Sequence, residues 1–190
     1  MEPKTYVKIP MERIGVLIGP GGSVKKRLEK RFDVKIHIDS DSGSVEISPA
    51  SPSTDPANVY TVMNIVKAIG RGFSPERAMK LGEEDYGLII IDLTDHVGRS
   101  KNALKRVKGR IIGRNGKARA MLEELTETLI SVYGDTVAII GRVDRLPIAR
   151  EAVLMLIEGA FHSTVWKFLY DYRRRLRREK MLLWEGEEVD

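Results

Sequence analysis

The chain has 190 residues, 42% of them hydrophobic, enough to pack either one large domain or two of ordinary size. Its formal charge of +5 favours an anionic partner without naming one. It contains no cysteine, which excludes disulfides, thiolate zinc sites and a cysteine nucleophile. The absence of glutamine and a charged fraction of 31% fit a heat-adapted protein.

The opening segment MEPKTYVKIP lacks an apolar stretch of signal-peptide length, and no apolar run approaches a membrane span. A soluble, cytoplasmic protein with no membrane association is expected. A first strand is read over Thr5–Ile9, followed by a helix that runs into Gly15-x-x-x-Gly19-x-x-Gly22. A short amphipathic helix follows on Val24 and Leu28. Two strands, Val34–Asp39 and Ser44–Ser48, are joined by turn chemistry across Ser40–Gly43. Val59, Val62, Met63, Val66 and Ile69 then recur at helical spacing. The stretch LGEEDYG is polar and glycine-flanked and marks a boundary near residues 80–86.

The same succession then repeats. A strand at Leu88–Leu93 leads to Gly109-x-x-x-Gly113-x-x-Gly116, with isoleucine again before the middle glycine (Ile18, Ile112) and Leu-Glu again after it (Leu28-Glu29, Leu122-Glu123). An amphipathic helix follows on Ala118, Met121, Leu122 and Leu125. The strands Leu129–Tyr133 and Thr136–Ile140 flank Gly134-Asp135, a hairpin signal with alternating apolar residues around it. A closing helix is carried by Ile148, Ala149, Ala152, Val153, Leu156, Ile157 and Phe161. Each copy reads β-α-α-β-β-α. Before its glycines the second copy holds about a dozen extra residues, DHVGRSKNALKRV, several of them basic. Domain limits of 1–83 and 84–162 follow, with a C-terminal extension over 163–190.

A lone Gly-x-x-Gly carries little weight in a chain with 17 glycines. The shared context carries the reading. VLIGPGGSVKKRLEKRFDVKIHI and RIIGRNGKARAMLEELTETLISVYG resemble the defining segments of type I K-homology (KH) domains, twice in tandem. The resemblance implies an α+β fold in which each domain has a three-stranded antiparallel sheet with helices on one face. It also implies that the loops bind single-stranded RNA. The chemistry agrees: glycine permits a sharp turn and close backbone approach, and a helix N-terminus beyond the loop attracts phosphate.

The second loop is better armed. Arg99, Lys101, Lys105, Arg106, Lys108, Arg110, Arg114, Lys117 and Arg119 occur between residues 99 and 119 with no acid among them. The RNA-binding set expected there is Gly109, Arg110, Ile112, Gly113, Arg114, Asn115, Gly116, Lys117 and Arg119. Ile111 or Ile112, with Ile130 and Val132, are positioned for an apolar groove or for the core. The first loop, Gly19-Pro20-Gly21-Gly22 with Lys25 and Lys26, lacks the two side chains that usually meet phosphate. It binds through its backbone or serves as a structural partner.

In the extension HSTVWKFLYDYRRRLRREK, Val165, Phe168 or Leu169, Tyr172 and Leu176 form one stripe for packing. Tyr170, Tyr172 and the arginines are open to RNA contact, and an acidic tail, EGEEVD, follows.

Enzyme signatures are lacking. His37, His96 and His162 are scattered, Ala118 stands where a Walker motif needs Ser or Thr, and Val24 breaks Gly-x-Gly-x-x-Gly. No catalytic residue, metal or cofactor is expected.

DHVGRSKNALKRVKGRIIGRNGKARAMLEEL with TVAIIGRVDRLPIAREAVLMLIEGAFHSTVW narrows the resemblance to the archaeal relatives of a small-subunit ribosome assembly factor. That family partners a PIN-domain endonuclease. The resemblance implies non-catalytic binding to the 3′ end region of small-subunit rRNA during ribosome assembly and pre-rRNA processing. The alternatives are a KH adaptor for mRNA or an RNA-degradation complex, and a metal-dependent nuclease.

Overall fold

The computed structural model describes residues 4–187. The first repeat begins with strand β1 (Thr5–Lys8), and helix α1 (Met11–Ile18) buries Ile14 and Leu17. After the glycine loop, α2 (Ser23–Phe32) buries Val24, Leu28 and Phe32, one face of an amphipathic turn series. Strands β2 (Val34–Asp39) and β3 (Ser44–Pro49) form a hairpin, and α3 (Pro56–Gly70) closes the unit. Asp55 caps α3 by accepting a hydrogen bond from the Ala57 amide at 2.9 Å, and Pro56 fills the first turn, where no amide donor is needed. The sheet order is β1-β3-β2, antiparallel throughout.

A short helix, α4 (Pro75–Ala78), and a tight turn over Met79–Gly82 lead to the second repeat. There β4 (Tyr86–Asp92), β5 (Leu129–Tyr133) and β6 (Thr136–Arg142) adopt the matching order β4-β6-β5. The extra residues make α5 (Thr94–Val97) and lengthen the helix before the loop, α6 (Lys101–Ile112), to 12 residues against eight in α1. Then come α7 (Lys117–Thr126), α8 (Leu146–Ile157) and a long terminal helix, α9 (His162–Glu187). This is the expected α+β fold, two three-stranded antiparallel sheets in KH order.

The two hairpins differ in burial. In β2, Val34 and Ile36 are buried while Lys35 and His37 are exposed, the alternation of a sheet with one solvated face. In β6, Val137, Ala138, Ile139 and Ile140 are all fully buried. Ile139 and Val137 face the second repeat's own helices, whereas Ala138 and Ile140 join the first repeat's core, with Tyr86, Leu88 and Leu129 packed beside them. The hairpin expected around Gly134-Asp135 is present, but β6 does not alternate: both of its faces are covered, so both are apolar.

The covering comes from the connection between the repeats. Phe73, Ala78, Met79 and Leu81 are buried, although Glu83, Glu84 and Asp85 behind them are exposed as a polar turn. Ser131 donates to the Arg71 carbonyl at 2.8 Å, and the Tyr133 hydroxyl donates to the Glu12 carboxylate. Arg77 forms an ion pair with Glu123. At Gly72, with φ +100°, an added Cβ would lie 2.7 Å from the Ser131 hydroxyl, so this crossing is close enough to require glycine.

Helix α9 docks through Val165 and Leu169, both fully buried. Tyr172 receives a hydrogen bond from Arg145 at 3.3 Å, and Leu176 is half-buried. The stripe predicted from spacing therefore lies against the body, with Leu169 rather than Phe168 innermost. From Arg177 to Gly186 every side chain is exposed.

Candidate nucleic-acid interface

The two glycine loops have one backbone conformation. Gly19 and Gly113 sit at φ/ψ of 73°/171° and 74°/174°, and Gly22 and Gly116 at 76°/15° and 74°/13°. Between them Gly21 adopts 59°/24° and Asn115 adopts 55°/27°. The third loop position is therefore left-handed in both copies, and asparagine is among the few side chains that adopt this conformation readily. The first glycine is also sterically required. An added Cβ on Gly113 would lie 2.6 Å from the Ala118 Cβ, and on Gly19 2.5 Å from a Val24 methyl.

Gly-Pro-Gly-Gly thus keeps the loop geometry but lacks the polar side chains and, at Pro20, one backbone amide donor. Arg114 and Asn115 are exposed in the second loop, as are Pro20 and Gly21 in the first. In the first copy Lys25 is engaged with Glu29 at 3.8 Å, and the Lys26 ammonium donates to the Gly21 carbonyl at 3.4 Å.

Around the second loop the cations divide into two groups. Lys108 pairs with Asp135 at 3.0 Å and Arg119 lies 3.8 Å from Glu123. Arg110, also expected to meet RNA, turns its side chain toward α8. Its guanidinium donates to the Leu156 carbonyl at 3.2 Å and to that of Ala160, closing the C-terminal end of α8. Arg13 does the same for α3, donating to Ile69 and Phe73 carbonyls at 2.8 Å. The other six cations, Arg99, Lys101, Lys105, Arg106, Arg114 and Lys117, have neither ion pair nor side-chain hydrogen bond among the described residues.

A cleft of about 830 Å³ runs along α6, lined by Arg99, Lys101 and Lys105 of these six, by Lys108 and Asp135, and by Leu104, Gly109 and Ile112 as its apolar part. Gly109 begins the last turn of α6, and nothing lies within 4 Å of where its Cβ would be, so packing does not require glycine there. Of the groove candidates, Ile112 is half-buried and lines the cleft, and Val132 is half-buried against the second core. Ile111 and Ile130 are core residues at 0% and 2% exposure. Thr94 also lines the cleft, and Asp92 accepts from its hydroxyl at 2.6 Å and from its amide at 2.9 Å. These bonds, with Arg71 and Arg99 nearby, hold its carboxyl below the usual aspartate range.

Gly113, Arg114 and Lys117 border a different depression, about 580 Å³, closed by Met121 of α7 and by His162 and Trp166 of α9. Sequence reasoning missed His162 and Trp166 as neighbours of the loop, because nothing local indicates where α9 docks. His162 donates from Nε2 to the Arg110 carbonyl at 2.8 Å, fixing the start of α9 beside the loop. Among the described residues no cluster of three or more metal-ligating side chains occurs, and no helix is long and apolar enough to cross a membrane. Asp39 accepts from the Asp41 amide and the Ser42 hydroxyl, as turn chemistry requires.

Comparison with known proteins agrees with this geometry. Residues 87–174 match the eukaryotic-type KH domain (KH domain type I), and residues 4–58 match the KH domain family. A KH domain-containing protein of Methanocaldococcus jannaschii is 47% identical over 94% of this chain and 78% of its own length. The pre-rRNA-processing protein pno1 of Schizosaccharomyces pombe is 26% identical over 90% of this chain and 71% of its own. Among solved structures, the a/eIF2alpha–aDim2p–rRNA complex of Pyrococcus horikoshii contains a chain with 46% identity and a TM-score of 0.87, covering 92% of this chain and 96% of that one. Two KH folds in tandem, joined through one shared sheet and related in sequence to both proteins, place this chain in the KH-domain family of Dim2 and Pno1 pre-rRNA-processing proteins.

Proposed function

We propose that this protein is a non-catalytic RNA-binding factor of small-subunit ribosome assembly. It holds single-stranded rRNA chiefly through Gly113-Arg114-Asn115-Gly116 and the α6 cleft. The observation that carries the reading is the loop's left-handed geometry beside six cations with neither ion pair nor side-chain hydrogen bond among the described residues. Phosphate meets the loop amides and the start of α7, while bases lie over Gly109 and Ile112. The rRNA in the related P. horikoshii complex and the name of the yeast relative support this substrate class. The 3′ end region of small-subunit rRNA as target, a PIN-domain endonuclease as partner, and a cytoplasmic setting extend the reading by family resemblance. The first loop, with Gly19, Pro20, Gly21 and Gly22, holds backbone only and contributes less.

Replacing Arg114 and Asn115 together with Asp tests it. Affinity for single-stranded rRNA, read by fluorescence anisotropy, should fall at least about 10-fold with the melt nearly unchanged, because both side chains are exposed. Unchanged affinity would remove the loop from the mechanism. Magnesium-dependent cleavage abolished by a single carboxylate substitution would favour the nuclease reading instead.

A further inference from the structure

We infer that the RNA track does not end at the second glycine loop but continues along α9, where Trp166 and Tyr170 stack bases and Lys167 and Arg177 hold phosphates. The inference rests on the RNA-binding reading above. Its basis is a continuous surface. The depression bordered by Gly113, Arg114 and Lys117 has Trp166 as its far wall. Trp166 is also the near wall of a second depression, about 530 Å³, lined by Lys167, Tyr170, Arg174 and Arg177. The two hollows meet at one indole.

The chemistry along this face suits a single strand. Trp166 and Tyr170 lie one helical turn apart, about 6 Å along the axis. Trp166 is half-buried and Tyr170 is 46% exposed, so both rings present area to a base. His162 stands against the indole, with ring centres 6.0 Å apart, and holds it in place. Arg174 is turned toward Asp171 at 2.6 Å, whereas Lys167 and Arg177 have neither ion pair nor side-chain hydrogen bond among the described residues. Aromatic faces interleaved with cations bind single strands with little sequence preference, since every base offers a π-face and every nucleotide a phosphate. A peptide partner would not need cations continuous with a phosphate-binding loop.

The full chain can be titrated with a short oligonucleotide of about four nucleotides, the span a KH loop clamps, and with the same oligonucleotide carrying an oligouridine tail at its 5′ or 3′ end. One tail should raise affinity, and the double variant Trp166→Ala, Tyr170→Ala should lose that gain, at least about 10-fold, while binding the short form as before. Because Trp166 is partly packed, Lys167→Glu with Arg177→Glu gives the same test on exposed side chains. In a Trp184→Phe chain Trp166 is the sole tryptophan, and its fluorescence should be quenched by the tailed form and not by the short one. Equal affinity of wild type and variants for the tailed form overturns the α9 track while leaving the loop's role intact. Failure of the wild type to bind both the short and the tailed form overturns the RNA-binding reading itself.

Discussion

At the residue scale, the glycines of the second repeat separate into those the fold needs and one it does not. Gly113 has φ of +74° and no room for a Cβ. Gly113→Ala should therefore destabilise by about 1–3 kcal/mol, measured by urea denaturation. Gly109 has ordinary helical geometry and open space, so Gly109→Ala should stabilise α6 by about 0.5–1 kcal/mol. The added methyl would stand on the floor of the cleft and weaken RNA binding. A stabilised variant with wild-type affinity would show that RNA does not approach the backbone there. Much of this was legible in the sequence, because Gly-x-x-x-Gly-x-x-Gly in two matching contexts implies a loop, and a loop of this kind fixes backbone angles locally. Arg110 was not legible. Its pairing with carbonyls of α8 and beyond, at Leu156 and Ala160, depends on how two distant helices meet, and a basic residue among eight others gives no sign of facing inward.

At the scale of elements, the order and near-limits of the strands and helices followed from periodicity and turn residues, since those act over a few positions. What periodicity does not report is which partner covers a face. Helix α9 illustrates both. Its stripe is visible in Val165, Leu169, Tyr172 and Leu176, yet its landing place beside the loop is not. Leu169 is fully buried, so Leu169→Ala should cost about 2–5 kcal/mol, whereas truncation after Leu176 takes away the exposed side chains of residues 177–186 and should leave the melting temperature almost unchanged. A large loss on truncation would mean that the exposed end of the helix is held by contacts within the molecule. The tie between α1 and β5 gives a pH signature. The Tyr133 hydroxyl, followed by a backbone hydrogen bond and the charges of Arg13 and Arg71, holds the Glu12 carboxyl below its ordinary range. A depressed carboxyl contributes stability at pH values above its unfolded pKa, near 4.3, and loses it as pH falls through the folded value. The same bond raises the Tyr133 phenol, so its contribution fades only as pH rises past about 10. Tyr133→Phe should therefore be less stable than wild type near pH 7, and the gap should narrow as pH falls below the unfolded carboxyl pKa, about 4.3. A gap independent of pH would assign the tyrosine's role to packing alone.

For the whole molecule, the duplication predicts two separable units, and the two sheets in KH order are there. Their independence is another matter. Ala138 and Ile140 of the second sheet sit in the first repeat's core, and Phe73, Met79 and Leu81 of the connection are buried with them. One sheet thus serves two cores, which the near-continuous apolar run Val137–Ile140 expresses in the sequence without saying what lies on the second face. The physical consequence is cooperativity. Pulling the repeats apart would expose that face to water at about 25 cal/mol for each Å² of apolar surface, and would also leave the Arg71 carbonyl without its Ser131 donor. The full chain should therefore unfold in a single transition, with circular dichroism and tryptophan fluorescence tracing the same curve although both tryptophans lie in α9. The second repeat expressed alone from residue 84 should bind the hydrophobic dye ANS and self-associate. Ile140→Ser together with Ala138→Ser should restore its solubility, because they replace the apolar patch that its missing neighbour would cover. Two resolved transitions in the full chain, or a monomeric second repeat without the serines, would show that the shared sheet adds contact area without coupling the domains.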